Sequence, residues 1–140
     1  MALTFRNPDK LQVLPIREYI RENCPGPGAG LVVEDLDLVP LQYGPLIGRH
    51  KNADGQFMLV EVKHPGFGIG YAQKRLFMMM DRLLRLGDPE GKFYIGFYVL
   101  NWNDGANRPI ALNGKPCDAE MFNNWISGKM HIEPYSFDNA

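Results

Sequence analysis

The sequence predicts an α/β fold from three observations. Two apolar runs carry acids near their ends: Leu31-Val32-Val33-Glu34-Asp35-Leu36-Asp37-Leu38-Val39 and Phe57-Met58-Leu59-Val60-Glu61-Val62-Lys63-His64. Tyr71 to Leu86 then shows apolar residues at helical spacing. Phe93 to Leu100 is again a short apolar and aromatic run, the pattern of an inner strand.

Taken in order, Asn7-Pro8-Asp9 looks like a helix start, with Asn7 as cap and Pro8 at the first helical position. Pro15 interrupts it, so a kink or a new helix runs to about Asn23, with Ile16, Tyr19 and Ile20 inward. Glu18 and Glu22 share another face, where solvated charge is the ordinary reading. Cys24-Pro25-Gly26-Pro27-Gly28-Ala29-Gly30 is a loop. A strand from Leu31 to about Leu41 follows, with Asp35 and Asp37 on one face. Tyr43 to Gly55 reads as a long turn closed by the hairpin signal Asp54-Gly55, which makes the two acidic strands antiparallel neighbours.

The glycine-rich segment His64 to Gly70 lacks the Gly-Lys-Ser/Thr of a phosphate-binding loop. The next helix turns Ala72, Leu76, Met79, Met80, Leu83 and Leu84 inward and stops at Gly87-Asp88-Pro89. Ile110-Ala111-Leu112 reads as a short strand ending at Asn113-Gly114. Asp118 caps a last helix that faces inward with Met121, Phe122, Trp125 and Ile126. From Met130 the tail reads as extended and loosely packed.

At 140 residues, 45% hydrophobic and 22% charged, the chain is expected to be one domain with a substantial core. Its formal net charge of -1 argues against coating nucleic acid by charge alone. Cys24 and Cys117 form no Cys-x-x-Cys pair and read as free thiols in a reducing cytosol. Met1 to Arg6 lacks the apolar run of a signal peptide, and no stretch reaches membrane-spanning length, so a cytoplasmic location is expected.

The chemistry concentrates on Glu61 and Lys63. They share one face of their strand while Val60 and Val62 pack on the other. A carboxylate and an ammonium on an apolar strand are costly to desolvate without compensation. A metal ion, or the phosphate of a substrate, would supply it. An acidic strand beside a Glu-x-Lys strand therefore points to metal-assisted phosphate chemistry.

The element order and these residues resemble the PD-(D/E)XK nuclease superfamily over roughly Arg17 to Leu100. The resemblance implies a restriction-endonuclease-like fold, a central mixed β-sheet flanked by helices. Asp37 matches the family's Asp, and Glu61-Val62-Lys63 matches its Glu-x-Lys. The family often adds a Glu from the first helix, for which Glu18 or Glu22 stands. RecB-like members carry Gln-x-x-x-Tyr on the next helix; Gln73 has that place, with Phe77 for Tyr. No Pro precedes Asp37, 61 − 37 = 24 positions separate it from Glu61, and Asp35 competes for its role.

What this implies is a Mg²⁺- or Mn²⁺-dependent nuclease acting on DNA. Asp37 and Glu61 would hold the metal as hard oxygen donors, with the Val62 carbonyl a further ligand. Lys63 would orient the attacking water or donate to the phosphate, and Gln73 would position one of them. His64, Lys74, Arg75 and Arg82 are candidate contacts to the nucleic-acid backbone. The small size suggests a structure-selective, junction-resolving dimer; the near-neutral charge counts against one. The competing readings are a buried ion network without metal and a catalytically silent module of the same fold that binds nucleic acid or protein. A serine hydrolase lacks support, because no Gly-x-Ser-x-Gly elbow is present.

Overall fold

In the computed structural model, residues 19, 22–23, 36–44 and 52–139 are described. The chain divides into two compact units, Met1–Val33 and Glu34–Ala140. In the first, Tyr19, Glu22 and Asn23 are helical and exposed, and the Asn23 side chain donates to the Tyr19 carbonyl at 3.0 Å. Tyr19, expected inward, is one of the exposed residues. Its hydroxyl makes a wet position tolerable. The expectations for Asn7, Pro15, Glu18, Cys24 and Asp35 lie outside the described residues.

The second unit carries a five-stranded mixed sheet of the α/β class. Its strands are β1 (Leu41–Gly44), β2 (Asn52–Lys63), β3 (Tyr94–Asn103), β4 (Arg108–Leu112) and β5 (Lys115–Pro116), in that order across the sheet. Helix α1 (Tyr71–Gly87) joins β2 to β3, which run parallel, as a helical crossover permits. The other pairings are antiparallel. Helix α2 (Ala119–Ile126) follows, capped as expected by Asp118, whose carboxylate accepts from the Met121 amide at 2.8 Å.

Alternation along the strands sorts the core into two layers. Met58, Val60, Ile95, Tyr98, Leu100 and Trp125 pack on the α2 side. Leu59, Phe77, Tyr94, Phe97, Val99 and Phe137 pack on the α1 side. Gln42 fastens α2 to β1 by donating to the carbonyls of Trp125 and Ile126 at its end, at 3.2 and 2.7 Å.

Four expectations need correction. The long turn is shorter than read: β1 reaches Gly44, and Asp54-Gly55 lies inside β2. There the β1–β2 register slips, Gln42 facing Gln56 but Gly44 facing Asn52, and Gly55 has φ 90°. The positive φ that suits a hairpin turn serves a bulge instead. Second, among the described residues before β1, 36–40, one bridge to β2 forms, Leu38 opposite Val60, and the chain bends at Asp37.

Third, α1 faces inward with Gln73, Leu76, Phe77, Met80, Asp81 and Leu84, whereas Met79 and Leu83 are exposed. Two polar residues with built partners occupy the inner stripe, and the apolar residues beside it turn outward. Fourth, the tail is extended but firmly packed. The Tyr135 amide donates to the Phe97 carbonyl at 2.8 Å, the Tyr98 hydroxyl to the Ile132 carbonyl at 2.7 Å, and Phe137 is buried with its ring 5.2 Å from that of Phe97. Gly96 makes room: a Cβ there would lie 2.5 Å from Cγ of Pro134.

Candidate functional site

Glu61 and Lys63 end β2 on the α1 side of the sheet, beyond Leu59, while Val60 and Val62 pack on the α2 side. The bridge between Leu38 and Val60 sets Asp37 opposite Glu61, and residues directly opposite in an antiparallel pair share a face. One Asp37 oxygen accepts from the Val62 amide at 2.8 Å. This carboxylate takes the place of the next backbone partner, so the ladder ends where the acids meet. Val62 thus lies between Glu61 and Lys63 with its amide engaged by Asp37.

Glu61 is 4% exposed. Its Oε1 lies 3.2 Å from the Lys63 ammonium and accepts from the Gln73 amide at 3.4 Å. Three buried side-chain polar atoms among the described residues lack a hydrogen-bond partner, and Glu61 Oε2 is the one carried by an ionisable group. Burial pushes its pKa up to about 7, and the charge of Asp37 adds to the rise; the Lys63 hydrogen bond and charge oppose it. A hydrogen bond to Asp37, open to Glu61 only when protonated, also raises its pKa, and Oε2 has no donor when Glu61 is ionised.

Gln73 is the hub. Its oxygen accepts from Lys63 Nζ at 2.7 Å and from the Gly70 amide at 3.3 Å, and its nitrogen reaches Glu61. Since Gln73 lies in the first turn of α1, satisfying the Gly70 donor that precedes the helix also locks the orientation of the site's lysine.

A second anchor was not anticipated. Asn101, opposite Lys63 on the parallel strand β3, donates from Nδ2 to the carbonyls of His64 and Phe67, both at 2.9 Å. It braces the turn His64–Phe67, closed by the Phe67 amide on the His64 carbonyl at 3.1 Å with Gly66 at φ 81°. Its one sequence signal is position: ligand sites of open α/β sheets lie at the carboxyl ends of parallel strands.

The remaining candidates divide. Exposed His64 faces Asp104 across 3.0 Å, so its ring is engaged at the rim. Lys74 and Arg75 follow Gln73 directly on α1. Arg82, nine residues on, lies about 14 Å along the helix, with Asp138 of the tail 3.7 Å away; the structure does not bring it to the Glu61–Lys63 cluster. Glu22 belongs to the other unit.

The acidic donors gathered are two carboxylates, hard oxygen ligands of the kind that suit a divalent cation. The unpartnered, buried Glu61 oxygen beside a second acid is consistent with such an ion. Among the described residues no group of three His, Cys, Asp or Glu side chains converges on one point. No described helix is long and apolar enough to cross a membrane. No family model, curated protein or solved structure matches the chain.

Proposed function

We propose that the chain is a metal-dependent nuclease of the restriction-endonuclease-like fold, hydrolysing phosphodiester bonds in DNA at the Asp37–Glu61–Lys63 cluster. The observation that carries the reading is Glu61, a buried carboxylate with one oxygen unpartnered, a second acid opposite and a lysine held beside it. A structural ion pair would satisfy both oxygens of such a group.

Asp37 and Glu61, with the Val62 carbonyl, would hold Mg²⁺ or Mn²⁺. The ion would supply charge neutralisation for the developing phosphorane-like transition state and a more acidic water. Glu61 must ionise to bind it, so metal affinity should increase as pH rises through about 7. Lys63 reaches the cluster from the helix side. Its ammonium offsets the repulsion between the acids and has protons to give a water or a non-bridging phosphate oxygen. Gln73 fixes that ammonium by accepting one of those protons, and holds Glu61 from its amide nitrogen.

A second reading, a catalytically silent binding module of the same fold, is favoured by one observation: no third acidic or imidazole ligand joins the two carboxylates among the described residues. Cleavage assays on linear duplex, single strand, flap and four-way junction, each with Mg²⁺, Mn²⁺ or EDTA, separate the two. Metal-dependent cutting that disappears in Lys63→Ala supports the nuclease. A folded wild type that cuts nothing supports the silent module.

A further inference from the structure

The segment between Lys63 and Gln73 displays two aromatic rings that the core does not use. Phe67 is 68% exposed and Tyr71 79%, while Phe77, Phe97 and Tyr94 on the α1 side of the sheet are buried. Two exposed rings four positions apart offer apolar faces that a flat partner can cover.

The backbone that carries them is held at both ends. Asn101 pins the Phe67 carbonyl, Ile69 packs on the core, and Gln73 accepts from the Gly70 amide just before Tyr71. The same Gln73 oxygen holds Lys63, so the platform and the candidate catalytic lysine share an anchor. The backbone between and beside the rings is open: a Cβ at Gly66, Gly68 or Gly70 would meet nothing within 4 Å. From Val62 to Met80 the chain has Lys63, His64, Lys74 and Arg75 and no Asp or Glu; the acids beside it are Glu61, 3.2 Å from Lys63, and Asp104, 3.0 Å from His64.

We infer that Phe67 and Tyr71 form a stacking platform for unpaired bases, and that the site takes a nucleic-acid strand that is single-stranded beside the scissile phosphate. Base faces are occupied inside a duplex and free in a single strand, and an aromatic ring accepts any base. The basic residues flanking the rings suit the phosphates that such a strand brings. That the bound strand is also cut rests on the nuclease reading; that it is bound does not.

The test is fluorescence anisotropy of a labelled oligo-dT single strand and of a blunt duplex, in EDTA so that nothing is cut. The full chain is compared as wild type, Phe67→Ala, Tyr71→Ala and Tyr71→Phe. The single strand should bind more tightly than the duplex. Each alanine variant should weaken it about five- to 150-fold, the span of base–aromatic stacking. Tyr71→Phe, which keeps the ring, should bind like wild type. Both alanine positions are exposed, and a thermal melt checks that those variants fold. The platform is overturned if the alanine variants bind like wild type, if the duplex binds equally well, or if no oligonucleotide binds. It is also overturned if the alanine changes abolish only self-association, which would mark a protein-docking surface. Oligo-dT binding that depends on the rings, without cleavage under any metal, would keep the platform and remove the nuclease. Cleavage untouched by the alanine changes would do the reverse.

Discussion

Two buried carboxylates on the α1 side of the sheet make a natural comparison. Asp81 and Glu61 are 7% and 4% exposed. Asp81 has a partner for each oxygen: Oδ1 accepts from the Tyr94 hydroxyl at 2.6 Å and Oδ2 from Arg85 Nε at 3.0 Å. Arg85 also lies over the Tyr94 ring at 5.6 Å, and burial with the neighbouring carboxylate pushes the Tyr94 pKa up. Glu61 has Lys63 and Gln73 on Oε1 alone, no donor on Oε2, and a second acid, Asp37, beside it. One carboxylate is finished by the fold and the other is left open. A satisfied buried acid contributes to stability, whereas an unsatisfied one spends stability on a site.

The largest effect expected from this contrast is on activity. Lys63→Ala should reduce cleavage by about 10²–10³-fold, the scale for loss of one preorganised donor at a developing charge. It should leave the fold intact by circular dichroism. Asp81→Asn, which touches none of the site, should keep its cleavage rate.

Next in size is a pH effect that Glu61 has and that its replacement removes. Its pKa is raised from 4.5 to about 7 in the folded chain. Between those values the unfolded chain has released the proton while the folded chain retains it. Stability without metal should therefore fall as pH rises from about 4.5 to about 7, by at most about 3 kcal/mol. Urea unfolding in EDTA at pH 5 and pH 8 measures this, and Glu61→Gln should flatten the difference.

Asp81→Asn should cost about 1–3 kcal/mol of stability at either pH, because it weakens two buried contacts at once. Glu61→Gln at pH 8 should cost little or even stabilise, since it removes a charge the fold does not fully satisfy. Equal losses from the two changes would erase the distinction between them. The smallest effect belongs to Gln73→Ala. Loss of its hydrogen bonds should slow cleavage about tenfold through misplacement of Lys63, roughly 1.4 kcal/mol, and shift KM little.

The same contrast separates what sequence could disclose from what it could not. Period-two alternation sufficed to place Glu61 and Lys63 on one face of β2, with Val60 and Val62 on the other. Gly87 and Asp118 marked helix ends through local chemistry, and both marks agree with the helices observed. Local chemistry failed at Asp54-Gly55 because positive φ suits a bulge as well as a turn, and only the pairing partner decides. The inner face of α1 was misread because it runs through Gln73 and Asp81, whose partners come from distant strands. A polar residue reads as outward until its partner is known. The tail has no periodic signal at all. Its place depends on Gly96 leaving space for Pro134, a contact between residues 38 positions apart (134 − 96). Asn101 was missed for a like reason, since its role exists only once β2 and β3 end side by side.

The most direct test of the open carboxylate is metal itself. Thermal unfolding would be followed while Mg²⁺ and Mn²⁺ are titrated into wild type, Glu61→Gln and Asp81→Asn at pH 8. Binding to the folded state must raise the melting temperature, with a stabilisation of about 2.7 kcal/mol at a hundred times Kd. The account predicts that wild type and Asp81→Asn both rise with metal and that Glu61→Gln does not. A wild type indifferent to both ions, or a Glu61→Gln that rises as much, would contradict it.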